Sequence, residues 1–115
     1  MIDEWIADIK KACPPEMLGM ILVHNGIVRA SSKQGKPVGG MKLSYDHAAL
    51  DQAVRRFRNT EGIVDIRAWI NEGELKVGDD IMYVCVAGRF RKDILPVFQE
   101  LIALIKTQIV REEEL

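Results

Sequence analysis

The segment DIMYVCVAG, residues 80–88, restricts the fold of this chain more than any other feature, because every position from 81 to 87 is apolar. A strand that is apolar on both faces is typical of the buried centre of a sheet. The next segment, GRFRKDILPVFQELIALIKTQ, residues 88–108, has the apolar spacing of a helix that packs on such a sheet. Asp93 is its predicted N-cap, which puts Pro96 at the third helical position, where a missing N–H costs no bond. The predicted apolar face consists of Ile94, Val97, Leu101, Leu104 and Ile105.

The other segments predict further helices and strands. Residues 2–12 have helical apolar spacing, Asp46 can cap a second helix, and Gly26 marks a bulge in a long first strand. Strands are predicted at 18–30, 41–45 and 62–70, a loop at 31–40 and a turn at NEGEL, 71–75. The order α-β-β-α-β-β-β-α predicts an α+β domain with a mostly antiparallel sheet and helices packed on it.

Length and composition limit the class of protein. A chain of 115 residues is expected to form one domain, 1–115, with a core that needs neither disulfides nor metal. Its net charge of −1 argues against a general nucleic-acid binder. The amphipathic start MIDEWIADIKK is no signal peptide, and no apolar run is long enough to span a membrane. We therefore expect a cytoplasmic protein with reduced Cys13 and Cys85.

No motif for a metal or a cofactor is present. His24 and His47 lack a second ligand at useful spacing, and there is no phosphate-binding glycine loop and no nucleophile elbow. Cys85 lies in the most apolar strand, where a thiolate would be disfavoured. The sequence thus predicts a protein without a metal site, a bound cofactor or a cysteine nucleophile.

The basic residues are the remaining candidates for a binding site. Taken singly, RRFR (55–58), RFRK (89–92) and Arg29 are typical of solvated surfaces, and Lys106 suits the C-terminal end of a helix dipole. Arg29 and Arg91, however, both follow apolar strands, so both could lie at one edge of the sheet. We therefore expect an anion site formed by Arg29, Arg91 and Lys106, with Arg89 and Lys92 as its solvated rim.

The spacing along the last helix limits how such a site can form. Arg91 and Lys106 are fifteen residues apart, which corresponds to about 22 Å along a helix. They are therefore either two unrelated basic ends, or halves of one site that is shared across a dimer, unless the end of the helix folds back.

Three segments resemble the large, catalytic subunit of molybdopterin synthase, the MoaE type. GMILVHNGIVR (19–29) is similar to the strand with the motif F-x-G-x-V-R, and KPVGGMKLSYDHAALDQAV (36–54) to the next loop, strand and helix. GELKVGDDIMYVCVAGRFRKDILPVFQELIALIKT (73–107) is similar to the G-x-L-x-x-G-[DE] turn, the central strand, the S-x-H-R corner and the long helix ending in L-K. The resemblance covers roughly residues 18 to 108, without a gap in the last segment.

This resemblance implies an α/β hammerhead-like fold, a homodimer and a function in molybdenum or tungsten cofactor biosynthesis. In that family a small ubiquitin-like sulfur carrier, of the MoaD type, inserts a tail that ends in a glycine thiocarboxylate. Sulfur passes from this tail to a phosphorylated cyclic pterin precursor. The family's arginines and H-R pair bind the precursor, and two lysines flank the reaction centre, with residues contributed across the dimer.

By position, the resemblance implies roles for three residues. Arg29 matches the arginine of G-x-V-R, Arg91 that of the H-R pair and Lys106 the first lysine, which would be the catalytic group. Phe90 stands where the family has the histidine of the H-R pair.

The second lysine has no match. Glu113 stands at its position, and a two-residue deletion would let Arg111 replace it, although arginine does not give up its proton. Two hypotheses follow: a divergent sulfur-transferring enzyme, or a degenerate homodimeric module that binds the carrier tail without turnover.

Overall fold

The computed structural model describes residues 1–115 as three helices and two three-stranded antiparallel sheets. In chain order the elements are α1 (Ile2–Ala12), β1 (Met20–Ile27), β2 (Gly40–Tyr45), α2 (His47–Arg58), β3 (Ile63–Ile70), β4 (Gly73–Lys76), β5 (Asp80–Gly88), α3 (Arg91–Leu104), a π-helical turn (Ile105–Ile109) and β6 (Val110–Glu114). The first sheet has the order β1-β5-β3 and the second the order β4-β2-β6. The predicted α+β class is confirmed, with two sheets in place of one.

The central position of β5 follows from its two apolar faces. On one face Val84 and Val86 belong to the main core, together with Leu101 of α3. On the other face Cys85 and Ala87 pack with Ile9 of α1, and these side chains have no exposed surface. Helices therefore cover both faces of β5, while β1 and β3 pair with its two edges.

Several local predictions are confirmed. The first helix spans the predicted residues 2–12. The Asp46 carboxylate accepts a hydrogen bond from the Ala49 amide at 3.0 Å, as expected of an N-cap. The pairing of β1 with β5 shifts register between Gly26 and Ile27, where the sequence predicts a bulge.

The predicted start of the last helix is wrong. The N-cap of α3 is Phe90, so Pro96 lies at the sixth helical position and one bond of the helix is absent. Asp93 is not the cap because Arg89 donates to its carboxylate at 3.4 Å and the side chain packs over Gly62. The Phe90 carbonyl instead accepts from the amides of residues 93 and 94.

Two strands of the second sheet differ from the predictions. β4 begins at Gly73, within the predicted NEGEL turn, and β6 forms from the acidic end of the chain, for which no strand was predicted. Both strands pair with β2. Most of their side chains are exposed, so backbone hydrogen bonds, which do not depend on an apolar pattern, place them in the sheet.

Gly88 allows the start of α3 to lie close to the first sheet. A Cβ atom at this position would lie 2.3 Å from the Gly62 carbonyl oxygen and 2.8 Å from Cγ1 of Ile94. The first of these contacts is with backbone, which cannot move aside as a flexible side chain can.

We therefore expect Gly88→Ala to lower the free energy of unfolding by about 1–3 kcal/mol through overpacking, measured by urea denaturation. Gly39→Ala is the matched control, because its Cβ would meet its nearest neighbour at an ordinary 3.7 Å. Equal effects of the two substitutions would contradict this packing argument.

Candidate functional site

A cavity of about 500 Å³ lies where the two sheets meet, next to the end of α3. Its walls come from β1, the loop after it, β2, β5, the π-helical turn and β6. The side chains in it that carry charge or titrate are His24, Arg29, Lys33, Lys106, Glu112 and Glu114. At neutral pH the cavity thus holds three cationic groups and two carboxylates in addition to the imidazole.

The π-helical turn places Lys106 in this cavity. Ile105 and Ile109 are buried at the two ends of the turn, whereas Lys106 between them is exposed. Thr107 donates its hydroxyl to the Ala103 carbonyl at 2.8 Å, across the junction with α3. The π turn is the last turn before the chain enters β6, so Lys106 lies at the end of the helical segment.

Arg29 reaches the same cavity from the loop after β1. Its Nε donates to the Ser31 carbonyl at 2.9 Å, which fixes the guanidinium next to the chain. This bond uses only one edge of the guanidinium, so the terminal amino groups can still bind an anion in a forked geometry. The structure therefore brings together Arg29 and Lys106, two of the three residues expected to form the anion site.

Two acidic side chains of β6 share the cavity with these cations. In the pairing of β2 with β6, Glu112 lies opposite Leu43 and Glu114 opposite Met41. Leu43 and Met41 are buried, so the two glutamates lie on the inner face of the strand. Sequence reasoning did not include them, because only the pairing of β6 determines which face each residue occupies.

Arg91 lies at the opposite end of α3 from Lys106. The helix has 14 residues and is about 21 Å long, so the two residues cannot contact one ligand within one chain. Arg89 is paired with Asp93, and Lys92 lies 5.8 Å from the ring centre of Phe90, which is 53% exposed. Arg89, Arg91 and Lys92 thus form a separate basic surface around an exposed aromatic ring.

Arg111 lies in another cavity of the second sheet. It pairs across from Ser44, on the outer face of β6, with Glu113 beside it and Lys42 on the neighbouring strand. The alternation of side chains along a strand directs Arg111 away from the face that carries Glu112 and Glu114. Within this chain, then, Arg111 does not join Lys106.

His24 is a cavity residue whose role the sequence does not indicate. Its Nε2 is shielded from solvent and has no hydrogen-bond partner, and its ring lies edge-on to Phe98 at 6.4 Å between ring centres. Burial, and secondly the positive charge of Lys106, lower the pKa of His24. The one sequence signal that distinguishes His24 is its place at the first position of the F-x-G-x-V-R pattern, where the motif has phenylalanine.

The remaining features of the chain do not indicate a cysteine nucleophile, a metal site or a membrane-spanning helix. Burial, with a smaller contribution from Asp65, raises the pKa of Cys85, which disfavours a thiolate as the sequence suggests. No three histidine, cysteine or acidic side chains lie close enough together to hold a metal ion. None of the helices combines the length and the apolar character needed to cross a membrane.

The fold and the cavity define an α+β protein with a mixed-charge cavity between two antiparallel sheets. The family model described as MoaE protein matches residues 2–108. The chain belongs to the MoaE family, as its sequence motifs indicate. Among proteins with curated functions, none matches the chain closely enough to count as a relative.

Solved structures share the fold at low sequence identity. Molybdopterin cofactor biosynthesis protein E from Burkholderia multivorans is 21% identical, with a TM-score of 0.78 over 99% of this chain and 80% of that one. Molybdopterin synthase from Staphylococcus aureus is 18% identical, with a TM-score of 0.76 over 92% and 80%. A complex of subunits 1 and 2 of the molybdopterin-converting factor from Helicobacter pylori contains a chain that is 18% identical, with a TM-score of 0.74 over 98% and 76%.

The environment of His24 predicts that this residue lowers the stability of the fold. We expect His24→Phe to raise the free energy of unfolding by about 1 kcal/mol at neutral pH, because it keeps a ring against Phe98 and removes an unpaired buried nitrogen. Because the pKa of His24 is lowered on folding, the unfolded chain binds more protons near and below the ordinary value of 6.5. The wild type should therefore lose stability as the pH falls through this range, and the variant should lose less.

Urea denaturation at about pH 7.5 and about pH 5.5 measures both effects. His47→Phe is the matched control, since His47 is exposed, stacks on Tyr45 at 4.1 Å between ring centres and bonds to Glu72. A His24→Phe variant that is less stable than the wild type and has the same pH dependence would contradict this account of the buried nitrogen.

Proposed function

We propose that this chain is a large-subunit-like component of molybdopterin synthase, with a role in molybdenum cofactor biosynthesis. One observation carries the proposal: Arg29 and Lys106, which match the arginine and the first lysine of the family by position, line one cavity although 76 residues separate them in the sequence. A forked guanidinium and an ammonium group together suit a phosphate-bearing ligand. Family membership over residues 2–108 supports the same role.

In this proposal the ligand is a phosphorylated cyclic pterin precursor. Arg29 binds its phosphate, and Lys106 is the catalytic group beside the carbon that receives sulfur. The sulfur comes from the C-terminal thiocarboxylate of a small ubiquitin-like carrier, whose tail would enter the cavity. One structure of similar fold is a complex of two subunits of a molybdopterin-converting factor, which supports a partner of this kind.

The proposal includes a homodimer with a shared site. Arg91 is separated from Lys106 of its own chain by the length of α3, so it can meet the ligand only from a second chain. Phe90, exposed between Arg89 and Lys92, would lie at the same subunit boundary. Each cavity would then receive the basic surface of the partner subunit.

Complementation between two variants tests the shared site. We expect Lys106→Ala to lower turnover by about 10²–10⁴-fold, and Arg91→Ala to weaken precursor binding by about 1.5–3 kcal/mol. In an equal mixture of the two variants, one site of each mixed dimer has both residues, so about a quarter of the wild-type rate should return. The assay follows dithiolene formation with purified thiocarboxylated carrier.

Light scattering on each variant is the control, because complementation has meaning only for dimers that exchange subunits. No recovery of rate from exchanging dimers would reject the shared site. A monomeric wild type at micromolar concentration would reject the dimer itself.

A second candidate function is a module that binds the carrier without turnover. Glu112 and Glu114 favour it, because their carboxylates lie in the cavity where the phosphate would bind and oppose its charge. Glu113 at the position of the second lysine and Phe90 at that of the histidine point the same way. A wild-type chain that binds the thiocarboxylated carrier but forms no product would select this function.

The acidic face of β6 gives a prediction that separates the two functions. We expect Glu112→Gln with Glu114→Gln to tighten binding of the precursor by about tenfold at low ionic strength, since each exposed charge contributes up to about 1 kcal/mol. If the chain is an enzyme held back by these carboxylates, its rate at low precursor concentration should rise as well.

Glu113→Gln is the matched control, because Glu113 lies opposite Lys42 on the outer face of the same strand. It removes one acidic charge from β6 without changing the cavity. Calorimetric titration with the precursor measures each affinity, and equal effects of inner-face and outer-face substitutions would show that the cavity is not the binding site.

A further inference from the structure

His24 is the one side chain of the cavity with an ordinary pKa near neutrality. Arginine, lysine and glutamate, the other ionisable residue types in the cavity, have ordinary pKa values well outside this range. A change in the charge of the cavity between about pH 5.5 and about pH 8 can therefore come only from this imidazole.

The surroundings of His24 favour the neutral imidazole, because burial and the charge of Lys106 both lower its pKa. The charged side chains that line the cavity together with His24 are Arg29, Lys33 and Lys106, opposed by Glu112 and Glu114, and the charge of Lys106 acts on the imidazole. Phe98 of α3 and Met82 of β5 are apolar neighbours. The excess of positive charge and the apolar contacts both disfavour a positive charge on the ring.

A bound anion reverses this balance. Two negative charges next to Arg29 and Lys106 would outweigh the excess positive charge of the cavity and favour a protonated imidazole. Nε2 is shielded from solvent and has no hydrogen-bond partner within the chain, so an oxygen of an anion that reaches it from the cavity would supply the missing partner of the protonated ring. A ring of carbon atoms would fill the same space against Phe98 without an unpaired nitrogen, so packing alone does not account for a histidine here.

We infer that His24 is a proton-accepting contact of the anion cavity, which takes up one proton from solvent when an anion binds beside Arg29 and Lys106. The inference rests on the proposed function only in its use of this cavity for an anionic ligand. It adds a ligand-binding residue to the two that match the family by position. It also requires that anion affinity and proton uptake are linked, so that anions bind more tightly at lower pH.

Proton NMR of the two histidines tests this inference, with sodium sulfate as the probe, because sulfate keeps the same charge across the range studied. The ring signals of His24 and His47 are followed from about pH 5 to about pH 8.5, with and without sulfate, at constant ionic strength. We expect the midpoint of His24 to rise by about half a unit or more with sulfate, equivalent to about threefold tighter binding to the protonated form. The midpoint of His47, outside the cavity, should not change.

Two variants give independent readouts. Lys106→Ala should raise the midpoint of His24 without sulfate, because a nearby positive charge is gone, and should reduce the response to sulfate. His24→Phe should bind sulfate with an affinity that no longer changes between about pH 5.5 and about pH 8, while remaining folded.

The outcomes separate this inference from the function on which it rests. If sulfate shifts the amide signals of residues 27–31 but the midpoint of His24 stays constant, the cavity binds anions and the inference about His24 is wrong. If no amide signal around the cavity responds to sulfate, the cavity does not bind anions. Both the proposed binding of a phosphorylated ligand and the inference about His24 are then wrong.

Discussion

The burial of β5 on both faces is the constraint on which the rest of this structure depends. α3 covers Val84 and Val86 on one face of β5, and α1 covers Cys85 and Ala87 on the other. Because β5 is central, β1 must pair with one edge and β3 with the other. This arrangement fixes the end of β1 and the end of α3 as neighbours, so the cavity with Arg29 and Lys106 is a consequence of the way the core is covered.

The second sheet gives the cavity its mixed charge. β6 contributes little to the core beyond Val110, and its place beside β2 depends on backbone pairing. The alternation of a strand then directs Glu112 and Glu114 inward and Arg111 and Glu113 outward. A segment with four charges in succession can thus place two carboxylates next to a lysine without any ion pair between them within 4.0 Å.

In the proposed anion site, His24 would oppose the stability of the fold that holds it. An unpaired buried nitrogen costs about 1–3 kcal/mol, and an apolar ring of similar size would avoid this cost. In that proposal, protonation of the imidazole beside Lys106 becomes favourable when negative charge enters the cavity. Stability and ligand binding therefore favour different residues at this position, as is common where groups are positioned for function.

The sequence by itself determined the elements whose signals are local. The apolar run of β5, the helical spacing of residues 2–12 and the cap at Asp46 each involve neighbours within a few positions, and the motifs around Arg29 and Lys106 identified the family. Tertiary structure alone decided that Phe90 is the N-cap of α3, because the Asp93 side chain is engaged by Arg89 and by packing over Gly62. It also decided that Glu112, Glu114 and His24 join Lys106 while Arg111 does not. The physical reason is that strands pair through backbone groups, which are the same at every residue. The sequence of β6 therefore does not indicate which strand it pairs with or which of its faces points inward.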